Sequence, residues 1–226
     1  MKNLFLSFAA MFTMAAAVFA APPATKTEPP PPCCVVPETK VMPCCVEEKN
    51  VAPLAARSLY QLDATWTNDA GAPVRLASLR GKPVLLAMIF THCEYACPIL
   101  VQDIQRLRAA VPESVREKAQ VVLVSFDTER DTPEALKAFR ERAGLDAHWT
   151  LLRGDQDAVQ ELAMLLGVKF KRDARGQFAH SNVITTLNAG GEIVHQHAGL
   201  NGDVSAAARA LIALSNDGAD GAAPSK

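Results

Sequence analysis

An α/β domain in three layers, with a central mixed sheet flanked by helices and an N-terminal hairpin, is predicted by three features of this 226-residue sequence. Two continuous apolar runs of strand length, VLLAMIF at 84–90 and VVLVSF at 121–126, read as strands buried on both faces. Each is followed by apolar residues at helical spacing. The chain then closes with a hairpin pattern and one more helix, so strands and helices alternate as a layered sheet requires.

The elements follow in order. The domain is expected to span residues 58–215. Its first segment, YQLDATWTNDAGAPVRL from Tyr60 to Leu76, reads as a strand, a turn at Asn68 to Gly71 and a second short strand. Lys82-Pro83 leads into the first buried strand, and Ile99, Leu100, Ile104, Leu107 and Val111 then recur at helical spacing. The second buried strand precedes a helix that runs through Ala143. Asp131-Thr132-Pro133-Glu134 starts that helix with a capping side chain, a proline for the first turn and an acid near the positive end. His148 to Leu152 reads as a short strand and Asp155 to Leu166 as a helix. KFKRDARGQFA, 169–179, reads as a loop leading to His180. Asn182 to Leu187 and Glu192 to His197 form a hairpin turning at Ala189-Gly190-Gly191, and Val204 to Leu214 forms the last helix.

The two ends lie outside this domain. Lys2 followed by the apolar run Leu4–Phe19 and the small-residue pattern Val18-Phe19-Ala20 predicts a signal peptide over 1–20, the alternative being an uncleaved membrane anchor. Either implies export, to a bacterial periplasm. Residues 21–57 form a proline- and cysteine-rich tether, expected to be flexible, in which Pro32-Cys33-Cys34-Val35 recurs as Pro43-Cys44-Cys45-Val46. Residues 216–226 are read as a disordered tail. The formal net charge of −1 gives no footing for nucleic acid or an anionic membrane surface as partner.

The chemistry concentrates in FTHCEYACPI, 90–99. Pro98 is tolerated in the first turn of a helix but not in its interior, so the helix starts within the motif and Cys97 lies in or beside its first turn. Cys93 and Cys97 are four residues apart and point into one pocket if that turn is regular. The helix N-terminus favours thiolates there. Two convergent thiolates suit Cu(I), and an added imidazole would let the site hold Cu(II) as well. A redox disulfide is the competing chemistry, and a structural disulfide closing one turn is the bland one.

These residues carry a resemblance. FTHCEYACP after a buried strand, SFDTERDTPE at the end of the next strand and FAHS before the terminal hairpin resemble the Sco/SenC family over roughly residues 58–215. That resemblance implies a thioredoxin-like fold and a Cys-x-x-x-Cys plus His copper site formed by Cys93, Cys97 and His180. It also implies copper delivery to the binuclear site of cytochrome c oxidase subunit II, or to another periplasmic cuproprotein. Further partners would be other copper chaperones or thiol reductases. The function expected is that of a metallochaperone rather than an enzyme with turnover. The alternative is a thiol–disulfide oxidoreductase using Cys93 and Cys97 as a redox dithiol. Thioredoxin-type exchangers keep a proline near the position of His180, yet none occurs between Phe178 and Gly190. A peroxidase of the peroxiredoxin type fits less well, because His92 stands directly before Cys93.

Other candidates divide between function and structure. Asp127 ends a buried strand and either orients a ligand or a partner without itself binding the ion, or serves its turn. His92 reads as a pocket-shaping loop residue, the alternative being a nitrogen donor to the metal; His195 and His197 read as two exposed residues on one strand face, the alternative being a surface metal site; His148 reads as a strand residue with no signal. Cys33, Cys34, Cys44 and Cys45 are expected to act as an auxiliary copper-collecting tether or to form disulfides.

Overall fold

The computed structural model describes residues 53–217. The expected signal segment, the four tether cysteines and most of the expected tail lie outside the described residues. The sheet has seven strands in the order β2-β1-β5-β4-β3-β8-β9. They are β1 (Trp66–Asn68), β2 (Pro73–Val74), β3 (Val84–Ile89), β4 (Gln120–Ser125), β5 (Trp149–Arg153), β8 (Val183–Leu187) and β9 (Ile193–Ala198). A separate two-stranded sheet pairs β6 (Phe170–Arg172) with β7 (Phe178–His180). The helices are α1 (Ala96–Ala109), a single turn α2 (Glu113–Arg116), α3 (Pro133–Ala143), α4 (Gln156–Leu166) and α5 (Ser205–Asp217).

The centre of the sheet is parallel: β3 pairs with β4 in register Val84↔Gln120 to Ile89↔Ser125, and β4 pairs with β5. Every residue of β3 is buried, as a strand covered on both faces requires. β8 runs antiparallel on the other side of β3, and β9 returns along it as the edge. Both β3 and β4 therefore deliver their C-terminal ends, and the loops that follow, to one edge of the sheet. Open α/β sheets place their binding sites at that edge.

Three local expectations change. The strand expected from Tyr60 begins only at Trp66. Residues Leu59–Gln61 instead form a short 3-10 turn, because the Ser58 hydroxyl accepts the Tyr60 N–H and Leu59 and Tyr60 drop into the core. The expected loop at 169–179 is the β6–β7 hairpin. It turns because the Asp173 carboxylate accepts the N–H groups of Arg175 and Gln177 and Gly176 takes a positive φ of 76°. His195 and His197 are half-buried rather than exposed, because α5 packs over β9.

The start of the domain is closed by a contact that depends on glycine. Gly191 has φ 84°, and a Cβ there would lie 2.6 Å from the Tyr60 ring. Gly191→Ala is expected to lower stability by about 1–3 kcal/mol. Urea denaturation checks this, and the reactivity of Cys93 at the opposite end of the sheet should stay unchanged.

Candidate metal centre

The chain leaves β3 through Phe90 and makes a tight turn in which Cys93 N–H donates to the Phe90 carbonyl at 3.3 Å. Helix α1 then begins, and Tyr95 at its cap position offers no side-chain acceptor. The Cys97 N–H donates instead to Cys93 Sγ at 3.2 Å. The sulfur thus satisfies one of the helix's orphan donors, a task usually performed by a Ser or Asp oxygen. Pro98, third in the helix, lacks an N–H where none is needed. Cys97 is fully buried against the core and Cys93 is half-buried; both are free thiols.

His180 arrives from the separate hairpin. Strand alternation puts Phe178 and His180 on one face of β7. The Phe178 ring packs 5.2 Å from Phe90 and 5.0 Å from Phe126, the residues that follow β3 and β4. His180 lies edge-on to Phe90 at 5.9 Å and 5.0 Å from Phe126, and Phe170 stacks on Phe126 at 5.2 Å. His180 Nδ1 is 3.1 Å from the Ser181 carbonyl, which can only accept, so Nδ1 carries the proton. That leaves a lone pair on Nε2, 3.8 Å from Cys97 Sγ.

The donor atoms of Cys93, Cys97 and His180 all lie within 4.8 Å of one another. Three donors held at the usual sulfur and imidazole bond lengths around a trigonal ion stand roughly 3.5–4 Å apart. The separation of 3.8 Å between Cys97 Sγ and His180 Nε2 fits that requirement.

The two sulfurs are electrostatically unequal. The Cys97 side chain, as hydrogen-bond donor, holds the Cys93 thiol down to about 3. Partial burial opposes this, while the N–H of Cys97 adds to it. Cys97 is raised, first by the same bond to the Cys93 sulfur and then by burial. The pair therefore shares one proton: Cys93 is the thiolate and Cys97 the thiol. A cation between them would release that proton, as metal binding to a thiol does. Because the Cys93 thiolate is already formed well below neutral pH, its alkylation by iodoacetamide is expected to stay nearly flat from pH 5 to 8. An ordinary thiol would gain about tenfold per unit over most of that range. Mass-mapped alkylation rates check this, with Cys97 labelled much more slowly.

Two carboxylates hold the surrounding loops, and only one was anticipated in a site role. Asp131, read from sequence as part of a helix start, leaves the capping to Thr132, whose hydroxyl accepts the Ala135 N–H. Its own buried carboxylate accepts Thr91 N–H at 2.8 Å, the Thr91 hydroxyl at 2.6 Å and the Ser125 hydroxyl at 2.5 Å. It thereby ties the β3–α1 turn to β4. Asp127 touches none of the three donors. It is buried and pairs with Arg130, which also donates to the Gly176 carbonyl at the tip of the hairpin carrying His180. Arg172 of β6 pairs with Glu129 in the same loop. Asp127 therefore bears on His180 indirectly, through Arg130. His92 is exposed beside Asp131, with Nδ1 3.1 Å from the Thr91 hydroxyl. His148 pairs with Glu117 at 3.4 Å. His195 and His197 stand on β9, and among the described residues neither belongs to a group of three metal-ligating side chains.

Sequence reasoning missed Asp131, Arg130 and the Phe90–Phe126–Phe178 cluster. The alternation in Phe178-Ala179-His180 was the one signal available for the last. Arg130→Ala is expected to loosen the hairpin. Amide exchange at 170–172 and 178–180 should accelerate at least tenfold while β3 and β4 stay protected, as hydrogen–deuterium exchange would register.

A mixed α/β sheet with two cysteines at the head of the helix after its central strand, and a histidine on the facing segment, defines a thioredoxin-like protein with a three-donor site. The SCO1/SenC family profile matches residues 55–215, and the chain belongs to that family. A "Putative copper-binding protein" of Stutzerimonas stutzeri is 34% identical over 50% of this chain and 54% of its own length. The match thus spans about half of that relative. An Aquifex aeolicus structure described as a putative electron transfer protein aligns with TM-score 0.62 at 25% identity, covering 69% of this chain and 90% of that one. Bradyrhizobium japonicum ScoI, solved with copper bound, aligns with TM-score 0.55 at 25% identity over 67% and 96%.

Proposed function

We propose that this chain is an exported copper carrier. It holds copper through Cys93, Cys97 and His180 and delivers it to the copper site of cytochrome c oxidase subunit II or of another periplasmic cuproprotein. The observation that carries the reading is the convergence of two sulfurs and an imidazole whose proton sits on Nδ1, leaving Nε2 free to bind. Two soft thiolates favour Cu(I) or zinc over harder first-row ions, and the imidazole extends the site to Cu(II). The name of the Stutzerimonas relative and the copper-bound ScoI support this choice of metal. Delivery to an oxidase and a periplasmic setting rest on family membership and on the leader-like N-terminus.

Copper here is cargo. The aromatic cluster beneath His180 keeps water from one side, while Cys93 stays open to solvent. Transfer between thiolates can then proceed one ligand at a time. A second reading has its own observation: a low-pKa, accessible Cys93 beside a buried Cys97 is the arrangement of attacking and resolving thiols in a dithiol oxidoreductase.

The test is copper loading of the full chain beside its His180→Ala variant. The expected outcome is a sulfur-to-Cu(II) absorption band that collapses in the variant, with Cu(I) affinity reduced by at least roughly tenfold. Binding indifferent to His180 would end the carrier reading, and dithiol activity surviving in the variant would favour the second.

A further inference from the structure

We propose that the outer face of the β6–β7 hairpin, together with Tyr95, docks an acidic segment of the protein that receives copper. This rests on the copper reading of the site. The formal net charge of the chain is −1, yet residues 169–181 carry Lys169, Lys171, Arg172 and Arg175 against the single acid Asp173. Basic charge is thus concentrated on the arm that presents His180. Two of these bases are engaged: Arg172 pairs with Glu129, and Arg175 lies 3.7 Å from Asp173. Lys169 and Lys171 are exposed, and among the described residues neither has an ion-pair partner.

The two lysines stand on either side of Phe170 in sequence, so strand alternation turns both away from the aromatic cluster that Phe170 joins. Two residues' rise sets them about 6.5–7 Å apart. Lys171 is opposite Ala179, and the Lys169 carbonyl accepts the Ser181 N–H at 2.8 Å, so the residues facing them across the hairpin are small. An opening of about 350 Å³ is lined by Lys169, Lys171, Ala179 and His180. It shares Ala179 and His180 with the opening of about 710 Å³ that Cys93, Tyr95 and Arg175 also line. A segment laid along the lysines therefore comes to His180 and the approach to Cys93.

Tyr95 is the second observation. At 75% it is the most exposed large hydrophobic side chain among the described residues, and it makes no cap hydrogen bond to the helix it precedes. A tyrosine left in solvent at the rim of a reactive opening fits an interface anchor, since it brings apolar area and a hydroxyl at little entropic cost. Glu94 lines the same opening, so the partner is acidic toward the hairpin and not toward the start of α1. The occupant is a protein rather than an anionic membrane. Lipid-binding basic segments gather about 4–8 Lys or Arg, whereas two unpaired lysines stand here with Asp173 and Glu94 close by in the sequence or the opening. Once docked, copper changes ligands without changing oxidation state. Each bond to an acceptor thiolate replaces one to Cys93, Cys97 or His180. One acceptor proton passes to Cys97 and the other to solvent.

The experiment uses the full chain with one equivalent of Cu(I), without oxygen, and two synthetic acceptor peptides. Both peptides carry the same pair of cysteines, flanked in one by glutamates and in the other by lysines. Copper departure is followed as the return of Cys93 alkylation. At low salt the glutamate peptide should take copper at least about tenfold faster, and the preference should fade at high salt. Lys169→Glu combined with Lys171→Glu should reverse the preference with copper loading unchanged, and Tyr95→Ser should slow both transfers at least about threefold. In the copper-free chain, the glutamate peptide should shift the amides of Lys169, Lys171 and Tyr95. Equal rates for the two peptides, a preference that survives the double charge reversal, or amide shifts confined elsewhere would overturn the proposal. An unaffected rate in Tyr95→Ser would overturn the part given to Tyr95. Phosphatidylglycerol vesicles that bind the chain through the two lysines, with the peptide preference indifferent to them, would assign the face to a membrane and overturn it as well. Cys93 left unprotected by Cu(I) would instead overturn the copper reading, and the amide shifts of the copper-free chain would still decide the docking face.

Discussion

The first turn of α1 needs an acceptor, and the Cys93 sulfur supplies it. Tyr95 brings none, so the N–H of Cys97 is left to the sulfur four residues back. This one contact sets the spacing of the motif. With two residues between the cysteines, as in a thioredoxin-type motif, the first sulfur would stand elsewhere relative to the opening turn. With three, it lies over the helix end, where the dipole and the free N–H groups both favour negative charge. The same contact makes the two sulfurs unequal, since Cys93 becomes an acceptor while Cys97 is confined to the core behind it.

The site is assembled from two supports of different stiffness. The cysteines sit at the end of β3, a strand buried throughout, and Asp131 binds their turn to β4 with three hydrogen bonds. His180 stands on a two-stranded hairpin outside the main sheet. That hairpin is held by the packing of Phe170 and Phe178 and by the pairings of Arg130 and Arg172 with the loop after β4. The carrier function proposed for this site requires an ion to be bound and then released. Placing two ligands on the rigid layer and one on a strapped arm lets coordination change without disturbing the core.

What could be read from sequence follows from how each element is stabilised. β3 and β4 were legible because a strand covered on both faces must be apolar throughout, and α1 because Pro98 dictates where a helix can begin. The juxtaposition of His180 with the cysteines came only through family resemblance, since 83 residues separate it from Cys97. The β6–β7 hairpin was hidden because Lys169, Lys171, Arg172 and Arg175 make the segment look like a solvated loop, while only Phe170 and Phe178 face inward. Asp131 was hidden by its neighbour: next to Thr132 and Pro133 it resembles part of a helix cap, and its buried partners Thr91 and Ser125 come from other strand ends.

Asp127 shows why the second kind of residue resists sequence reading. Its position at the end of β4 pointed toward the site, yet its carboxylate is spent on Arg130 and reaches His180 only through the Gly176 carbonyl and the length of a strand. Serving a turn and holding the hairpin that carries His180 are here one interaction. The Asp127–Arg130 turn is the strap, and what it straps is the hairpin that presents the histidine. A residue of this kind leaves no spacing signature relative to the ligands, because its effect passes through a backbone carbonyl whose owner, a glycine, carries no chemistry of its own.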